Sequence, residues 1–548
     1  MMFTLDPYAA RSCPLKTLHA FGPAERPVGA ATGSGMPGAT AFTAEVLAQI
    51  LSGRASVVDL RDRAEATHEE QEAACLAAMA AGTEVIIGGL LPRDFDEHRR
   101  GRAELLISDG SGGYVPGIVK FQRALDARRD DREFTYSPVS DLPARSVSTG
   151  WRYRWHWRWP NAIQLAHLWQ LLAPTGFQSK AANAVVIGVE RLDPDGLVAT
   201  WLDLNEPNLA PASTAADASV QVSALERYHQ EFAARVEIAE IAQRNDGSEA
   251  SLLPPIVTTE CGYCDWWPIC RPLLDDDDLS LRINKAPLDR QEIVGLRSAG
   301  VVTVGHLASA DLDLLLTDYL PLVAHRQGAE ERLRLAQRRA RLLAEGQQLD
   351  RLTTGGIDLP ASAIEIDIDV ETSRADRVYL WGFWITDATG SRYQHFSSFT
   401  DLDDAAELAL AVEAMSWLRD FVADTGALVF HYSDYEVTRL VRLAASGAPE
   451  LTWAVKYAAD HFVDLFSVIR RHFFGANGLG LKAVASAGAG FHWRDEDPGG
   501  LNSMIWFDEA VQAADVAARE LARERVLCYN EDDVRATASL RSWLRLQS

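Results

Sequence analysis

The chain has 548 residues, more than a single hydrophobic core usually organises, so its length predicts about two to four domains. Hydrophobic residues make up 47% and charged residues 24%, and no apolar run of about 18 residues or signal-peptide core occurs, so we expect a folded, soluble, cytoplasmic protein without a membrane span. A net charge of −24 excludes general attraction to nucleic acid and leaves that role to local basic surfaces.

Two cysteines near the N-terminus have different surroundings. Cys13 lies outside any apolar repeat and is followed by a Gly- and Pro-rich stretch, residues 21–38, which predicts a loop. Cys75 lies in an alanine-rich helical pattern, where a cysteine acts as a small hydrophobic residue. Cys13 is therefore the better candidate for a metal ligand.

Strand-like segments between residues 84 and 120 place Glu104 and Lys120 16 positions apart, and Gln164 follows in the next motif. This order resembles the G-R-x-D, (D/E)-x-K and Q-x-x-x-Y motifs of RecB-type PD-(D/E)XK nucleases. The resemblance implies that Glu104 holds a metal ion and that Lys120 polarises the water or the phosphate. Ile118 and Leu168 replace the second acid and the tyrosine of the family, and isoleucine cannot ligate Mg²⁺. We expect this half to bind DNA without cleaving it.

Residues 150–159 interleave arginines with five aromatic residues. Arg152, Arg154 and Arg158 would pair with phosphates while the aromatic rings stack on bases. An amphipathic strand, with tryptophans facing the core and arginines facing solvent, has the same alternation. The pattern leaves both interpretations open.

Three cysteines, Cys261, Cys264 and Cys270, occur within ten residues at C-x2-C-x5-C spacing. Thiolates at this spacing can reach one metal ion or cluster, and Cys13 is the best candidate for a fourth ligand. The set resembles the iron–sulfur staple of RecB-type nucleases, including the CRISPR adaptation nucleases. The resemblance implies a [4Fe–4S] cluster that ties the two ends of the domain together. The thiolates alone leave a structural Zn²⁺ ion, or unligated cysteines, as alternatives.

Residues 276–355 form a predicted helical connector. Residues 288–307 have the pattern of a helix, a turn at Gly300 and a second helix, which resembles a helix-hairpin-helix module. Such a turn can hold a DNA phosphate, but a purely structural linker fits equally well.

Strict alternation between residues 363 and 372 predicts a β-strand with acidic residues along one face. Its end, Asp369-Val-Glu371-Thr372, resembles the D-x-E-T motif of RNase H-like DEDD exonucleases. A later segment, 427–436, places Glu436 where that family has an aspartate, with Asp434 as a reserve candidate.

Near the C-terminus, Tyr529 and Asp533 match the Y-x-x-x-D motif of the tyrosine-type DEDD enzymes, and their spacing places them on one helix face. The resemblance implies that Tyr529 orients the attacking water. It also implies four ligands for two Mg²⁺ or Mn²⁺ ions: Asp369, Glu371, Glu436 and Asp533. Lys482, between these motifs, is a candidate contact to the nucleic-acid strand. Acids that merely face solvent are the structural alternative.

These observations predict an α/β protein: a RecB-type, restriction-endonuclease-like domain at 1–275, the connector at 276–355 and an RNase H-like domain at 356–548. The first functional hypothesis is a metal-dependent 3′–5′ exonuclease acting on single-stranded DNA or RNA through the C-terminal site. The alternative is an impaired nucleic-acid-binding scaffold or a subunit of a DNA repair or recombination complex. No G-x4-G-K-[ST] motif occurs, so a helicase partner would be a separate polypeptide.

Overall fold

The computed structural model describes residues 2–27, 39–62, 65–128, 131–192, 196–212, 220–244, 253–323, 326–423 and 425–547. The chain forms two compact units. Unit 1 comprises Met1–Leu281, Leu288–Val302 and Asp311–Arg332, and unit 2 comprises Arg282–Pro287, Thr303–Ala310 and Leu333–Ser548. The predicted connector is thus shared between the units. The predicted loop at 21–38 lies mostly outside the described residues.

The helices of the described residues are, in chain order, α1 (Pro14–Phe21), α2 (Ala39–Leu51), α3 (His68–Ala80), α4 (Trp155–Leu171), α5 (Ala224–Arg244), α6 (Trp267–Cys270), α7 (Leu279–Arg282), α8 (Arg290–Ser298), α9 (Val304–Ser309), α10 (Leu312–Tyr319), α11 (Ala329–Ala344), α12 (Asp404–Val422), α13 (Tyr435–Ala444), α14 (Pro449–His461), α15 (Leu465–His472), α16 (Leu481–Ala489), α17 (Gly500–Gln512) and α18 (Val516–Arg545). Among them, none combines the length and the hydropathy that crossing a lipid bilayer requires. Helices α8 and α9 flank Gly300, whose φ of 79° suits the predicted glycine turn.

The strands of unit 1 are β1 (Val57–Asp59), β2 (Val85–Ile87), β3 (Leu90–Asp94), β4 (Arg99–Arg102), β5 (Leu105–Ser108), β6 (Tyr114–Val119), β7 (Leu125–Ala127), β8 (Phe134–Pro138), β9 (Ser146–Ser148), β10 (Trp151–Tyr153), β11 (Asn183–Leu192) and β12 (Gly196–Asp203). In the described residues the main sheet has the order β1-β2-β5-β6-β11-β12-β8-β9. Strands β2, β5 and β6 are antiparallel, whereas β11 is parallel to β6. A parallel pair needs a long crossover, and α4 lies in the one between β6 and β11.

The middle parts of the central strands of unit 1 are largely apolar because both faces of the sheet are covered. Ile118 and Val186 pack into a core cluster that includes residues of α4. Their neighbours Val119 and Val185 pack into a second cluster with residues of α2. Ile118 is fully buried, so the position that a second metal-binding acid would occupy is part of the hydrophobic core.

The strands of unit 2 are β13 (Leu349–Arg351), β14 (Glu365–Thr372), β15 (Val378–Asp387), β16 (Gly390–Ser397), β17 (Leu428–His431), β18 (Phe462–Asp464) and β19 (Phe473–Gly475). Five of them form a sheet of order β16-β15-β14-β17-β18. Strands β14, β15 and β16 are an antiparallel meander, and β17 and β18 continue the sheet in parallel. Strand β14, predicted from the alternation, is therefore central in the sheet.

The acidic face of β14 is covered by α18 rather than by solvent. Glu365 and Asp367 are buried, and the guanidinium of Arg541 contacts both carboxylates, with 2.8 Å between its Nη2 atom and Asp367 Oδ2. Arg545 also pairs with Glu365. These two acids are neutralised within the fold, which leaves Asp369 and Glu371 as the acids at the other end of the strand.

The arginine- and tryptophan-rich segment 150–159 is a strand only in its first part. Strand β10 ends at Tyr153, and α4 begins at Trp155. The predicted amphipathic strand is therefore wrong for the second half of this segment. Trp157 is 64% exposed, whereas Trp155 and Trp159 pack against the core of unit 1.

Candidate metal centre

Strand β14 and helix α18 bring three carboxylates together in unit 2. The ligand oxygens of Asp369, Glu371 and Asp533 all lie within 4.8 Å of one another. Asp369 and Glu371 are two positions apart on a strand, so their side chains share one face, and Asp533 comes from the helix that packs on that strand. Asp533 lies 162 positions beyond Glu371 in the chain, and the fold brings the three carboxylates into a single acidic group.

The electrostatics of this group call for a cation. Burial, followed by the negative charge of Asp533, raises the pKa of Glu371 to about 8. Burial is also the main cause of the raised pKa of Asp369 and of Asp533. Carboxylate oxygens are the donors that Mg²⁺ and Mn²⁺ prefer, and a divalent cation would offset the cost of burying these carboxylates in their charged form.

One oxygen of each carboxylate accepts a hydrogen bond from a neutral side chain. Ser503 Oγ donates to Glu371 at 2.6 Å, Trp493 Nε1 donates to Asp533 at 2.6 Å, and Asn530 Nδ2 donates to Asp369 at 2.7 Å. These bonds fix the orientation of the carboxylates without adding charge. The sequence motifs miss all three donors, although Asn530 directly follows the predicted Tyr529.

Asn530 is itself held by its surroundings. Tyr393 on β16 donates a hydrogen bond to Asn530 Oδ1 at 2.7 Å. Gly382 lies opposite Asp369 in the β14–β15 pair, and a Cβ atom there would collide with the Asn530 amide. A glycine at this position therefore lets Asn530 reach Asp369.

Glu436 is buried beside the acidic group but is not one of its three members. It lies in the first turn of α13 and is 4% exposed, and its Oε2 atom is 3.7 Å from His431 Nδ1. This oxygen has no hydrogen-bond partner within the described residues. The negative charge of Glu436 contributes to the raised pKa of Asp369, so the two carboxylates interact. The reserve candidate, Asp434, is exposed.

Tyr529 lies next to the acidic group and is joined to Lys482. Lys482 Nζ donates a hydrogen bond to the Tyr529 hydroxyl at 2.7 Å and is 4.0 Å from Asp533 Oδ1. The ammonium also lies over the rings of Tyr529 and Trp493. Lys482 therefore belongs to the site itself, in addition to being a candidate strand contact. Burial raises the pKa of Tyr529, so its hydroxyl keeps its proton.

Residues 366–545 match the RNase_H_2 family model, which describes the RNase H superfamily. The C-terminal domain is RNase H-like. Nucleases of this type use divalent metals, so the family match and the group of three carboxylates both indicate a metal-binding site. The RNase H-like domain indicates nuclease-type activity on a nucleic-acid substrate. No curated protein and no solved structure matches the chain.

The RNase H-like match does not extend to the predicted RecB-type residues, whose roles remain predictions. Glu104 and Lys120 do meet, with Lys120 Nζ 2.9 Å from Glu104 Oε1. The other oxygen of Glu104 accepts the Val119 backbone N–H at 2.8 Å. Gln164 is buried and accepts a hydrogen bond from Arg11 at 2.7 Å. Among the described residues, Glu104 is in no group of three clustered metal-ligand side chains.

The four predicted cysteine ligands line one small cavity in unit 1, together with Glu260 and Trp266. Burial raises the pKa of the Cys270 thiol to about 12, and the neighbouring thiols contribute to the shift. The sequence did not point to His19, whose Nε2 atom is 3.4 Å from Cys270 Sγ. None of the six cysteines, all of which are described, forms a disulfide bond. The four that line this cavity are Cys13, Cys261, Cys264 and Cys270.

Proposed function

We propose that this protein is a metal-dependent nuclease whose RNase H-like domain acts as a 3′–5′ exonuclease on single-stranded DNA or RNA. The observation that carries the proposal is the convergence of Asp369, Glu371 and Asp533 within 4.8 Å. Tyr529 and Lys482 stand beside them, where a water molecule and a phosphate could be oriented. The family match supports the same chemistry.

In the proposed mechanism, Asp369, Glu371, Asp533 and Glu436 hold Mg²⁺ or Mn²⁺. Two such ions would supply an activated water and stabilise the attacking and leaving oxygens of the displacement. The Tyr529 hydroxyl orients the nucleophile, and the hydrogen bond from Lys482 fixes the hydroxyl.

We propose Glu436, rather than Asp434, as the fourth carboxylate. Its buried Oε2 atom accepts no hydrogen bond from the described residues, and a buried acceptor without a hydrogen bond costs about 1–3 kcal/mol. Binding a cation would compensate that cost. Asp434 is exposed and carries no such penalty.

We propose that the N-terminal half folds as a RecB-type domain and does not cleave. The order β2-β5-β6-β11, with α4 between the last two strands, is compatible with a PD-(D/E)XK core. Glu104 is already engaged by Lys120 and by a backbone N–H, and Ile118 offers no second ligand.

For the cysteine cavity we propose a [4Fe–4S] cluster. Four thiolates on one zinc ion would lie about 3.8 Å apart, because Zn–S bonds are about 2.3 Å long. All four cysteines are described residues, and no three of them have their Sγ atoms within 4.8 Å of one another. The C-x2-C-x5-C spacing with a fourth cysteine upstream resembles the iron–sulfur staple of RecB-type nucleases, which supports a cluster over a single zinc ion. Colourless, zinc-containing protein purified without oxygen would refute this assignment; a brown protein would support it.

The nuclease proposal is tested with single strands labelled at the 5′ end, with Mg²⁺ or Mn²⁺. We expect wild type to produce progressively shorter labelled products, as a 3′–5′ exonuclease does, and Asp369→Ala to produce none. Asp434→Ala is the matched control and should retain activity, because that side chain is exposed. Immediate release of labelled mononucleotide would refute the polarity. Inactive wild type would refute the nuclease proposal and favour the scaffold alternative.

A further inference from the structure

A groove of about 1510 Å³ opens on unit 1, and the function proposed above does not use it. Its walls are strands β7 and β10, the first turn of α4, parts of β8 and β12, and the start of α8. All of these lining residues belong to unit 1, and they include neither Glu104 nor Lys120 nor any cysteine. The groove is therefore separate from both sites described so far.

The groove has a positive balance of charge on an acidic protein. Among the described residues, seven arginines and five carboxylates line it, whereas the whole chain has a net charge of −24. Arg154 pairs with Asp126 at 2.9 Å, Arg227 pairs with Glu231 at 3.7 Å, and Arg326 lies 3.9 Å from Asp289. Arg152 on β10 is exposed. This concentration of guanidinium groups favours a polyanion as the ligand.

Five of the chain's 15 tryptophans also line the groove, and they differ in burial. Trp155 and Trp159 pack against the core and anchor the first turn of α4, and Arg227 stacks over Trp159 at 4.3 Å. Trp157, on the same turn, is 64% exposed. An indole presented from a turn that its neighbours hold in place is suited to stacking on a flat ring.

We propose that this groove binds single-stranded nucleic acid, with phosphates paired to arginines such as Arg152 and a base stacked on Trp157. A duplex keeps its bases stacked on each other and cannot offer one to Trp157, and an acidic peptide has no base to stack. The groove binds the strand whether or not the carboxylates of unit 2 hydrolyse it. The proposal thus goes beyond the proposed activity and does not depend on it.

The test is fluorescence anisotropy of labelled 20-mers, oligo-dT and oligo-rU, with full-length protein and no added Mg²⁺ or Mn²⁺. We expect Trp157→Ala to weaken binding about 5- to 150-fold, the usual effect of losing one stacked base. Arg152→Ala should reduce the slope of log affinity against log salt by about 0.7, the value for one phosphate contact on a single strand. The DNA and RNA arms show which sugar the groove accepts.

Matched controls come from the β3–β4 hairpin, which does not line the groove. Phe95, 44% exposed, and Arg93, also exposed, provide Phe95→Ala and Arg93→Ala, and neither should change the affinity. Equal binding by wild type and the Trp157→Ala, Arg152→Ala double variant would overturn the proposal. Tighter binding of a 20-bp duplex or of a polyglutamate peptide than of the single strand would also overturn it.

Discussion

Replacing Gly382 with alanine tests whether Asn530 organises the acidic group. The added Cβ would lie 2.7 Å from the Asn530 Cγ atom and closer still to its Oδ1 atom, so the amide must move. Overpacking of this kind costs about 1–3 kcal/mol. The displaced amide would also lose its 2.7 Å hydrogen bond to Asp369. We expect the free energy of unfolding to fall by about 1–3 kcal/mol and kcat to fall about 10- to 100-fold.

A double-mutant cycle in denaturant unfolding and nuclease assays isolates this contact. Asn530→Ala makes room for the new methyl group. The double variant should therefore lose at least about 1 kcal/mol less free energy of unfolding than the two single variants lose together. Its activity should stay low, because Asp369 still lacks its donor. Gly356→Ala is the control, since the nearest atom to a Cβ there is 3.8 Å away. Additive effects, or unchanged activity in Gly382→Ala, would refute the role given to Asn530.

Three further substitutions test other parts of the structure. Lys482→Met removes the hydrogen bond to Tyr529, so we expect kcat to fall about tenfold or more with a smaller change in KM; equal activity would contradict the assigned contact. Burial lowers the pKa of His167 to about 3, so this imidazole stays neutral in the folded state. Below about pH 6.5 it gains a proton only in the unfolded state, so the free energy of unfolding should fall by up to about 1.4 kcal/mol per pH unit. His167→Asn should show a shallower decline in pH-dependent unfolding, and parallel curves would contradict it. Arg541→Leu leaves the buried Asp367 unpaired and should cost about 3–5 kcal/mol in denaturant unfolding, whereas a loss under about 1 kcal/mol would show that the pair is not needed.

Local patterns predicted part of the RNase H-like domain because side chains return to the same face about every 2 residues in a strand and every 3.6 residues in a helix, so a short segment is enough to show the repeat. The alternation around Asp369 placed β14 correctly, and the spacing of Tyr529 and Asp533 placed them on one face of α18. The same alternation could not distinguish the two kinds of acid on β14. Glu365 and Asp367 are neutralised by Arg541, about 175 positions away, and no local pattern reports such a pairing.

The residues that orient the carboxylates were also beyond local patterns. Ser503 and Trp493 lie on segments whose proximity to the acidic group depends on how helices pack against the sheet. In unit 1, the alternation of residues 150–159 was the same for a strand and for a stacking surface, and the structure instead ends the strand at Tyr153 and starts a helix at Trp155.

The sequence by itself determined the identity and spacing of the candidate ligands, carboxylates in unit 2 and cysteines in unit 1, because both follow from neighbouring positions. Only the tertiary structure decided which acids of β14 pair with arginines and which face of segment 150–159 borders the groove. Those properties depend on burial and on contacts between residues more than a hundred positions apart, which the packing of the whole domain creates.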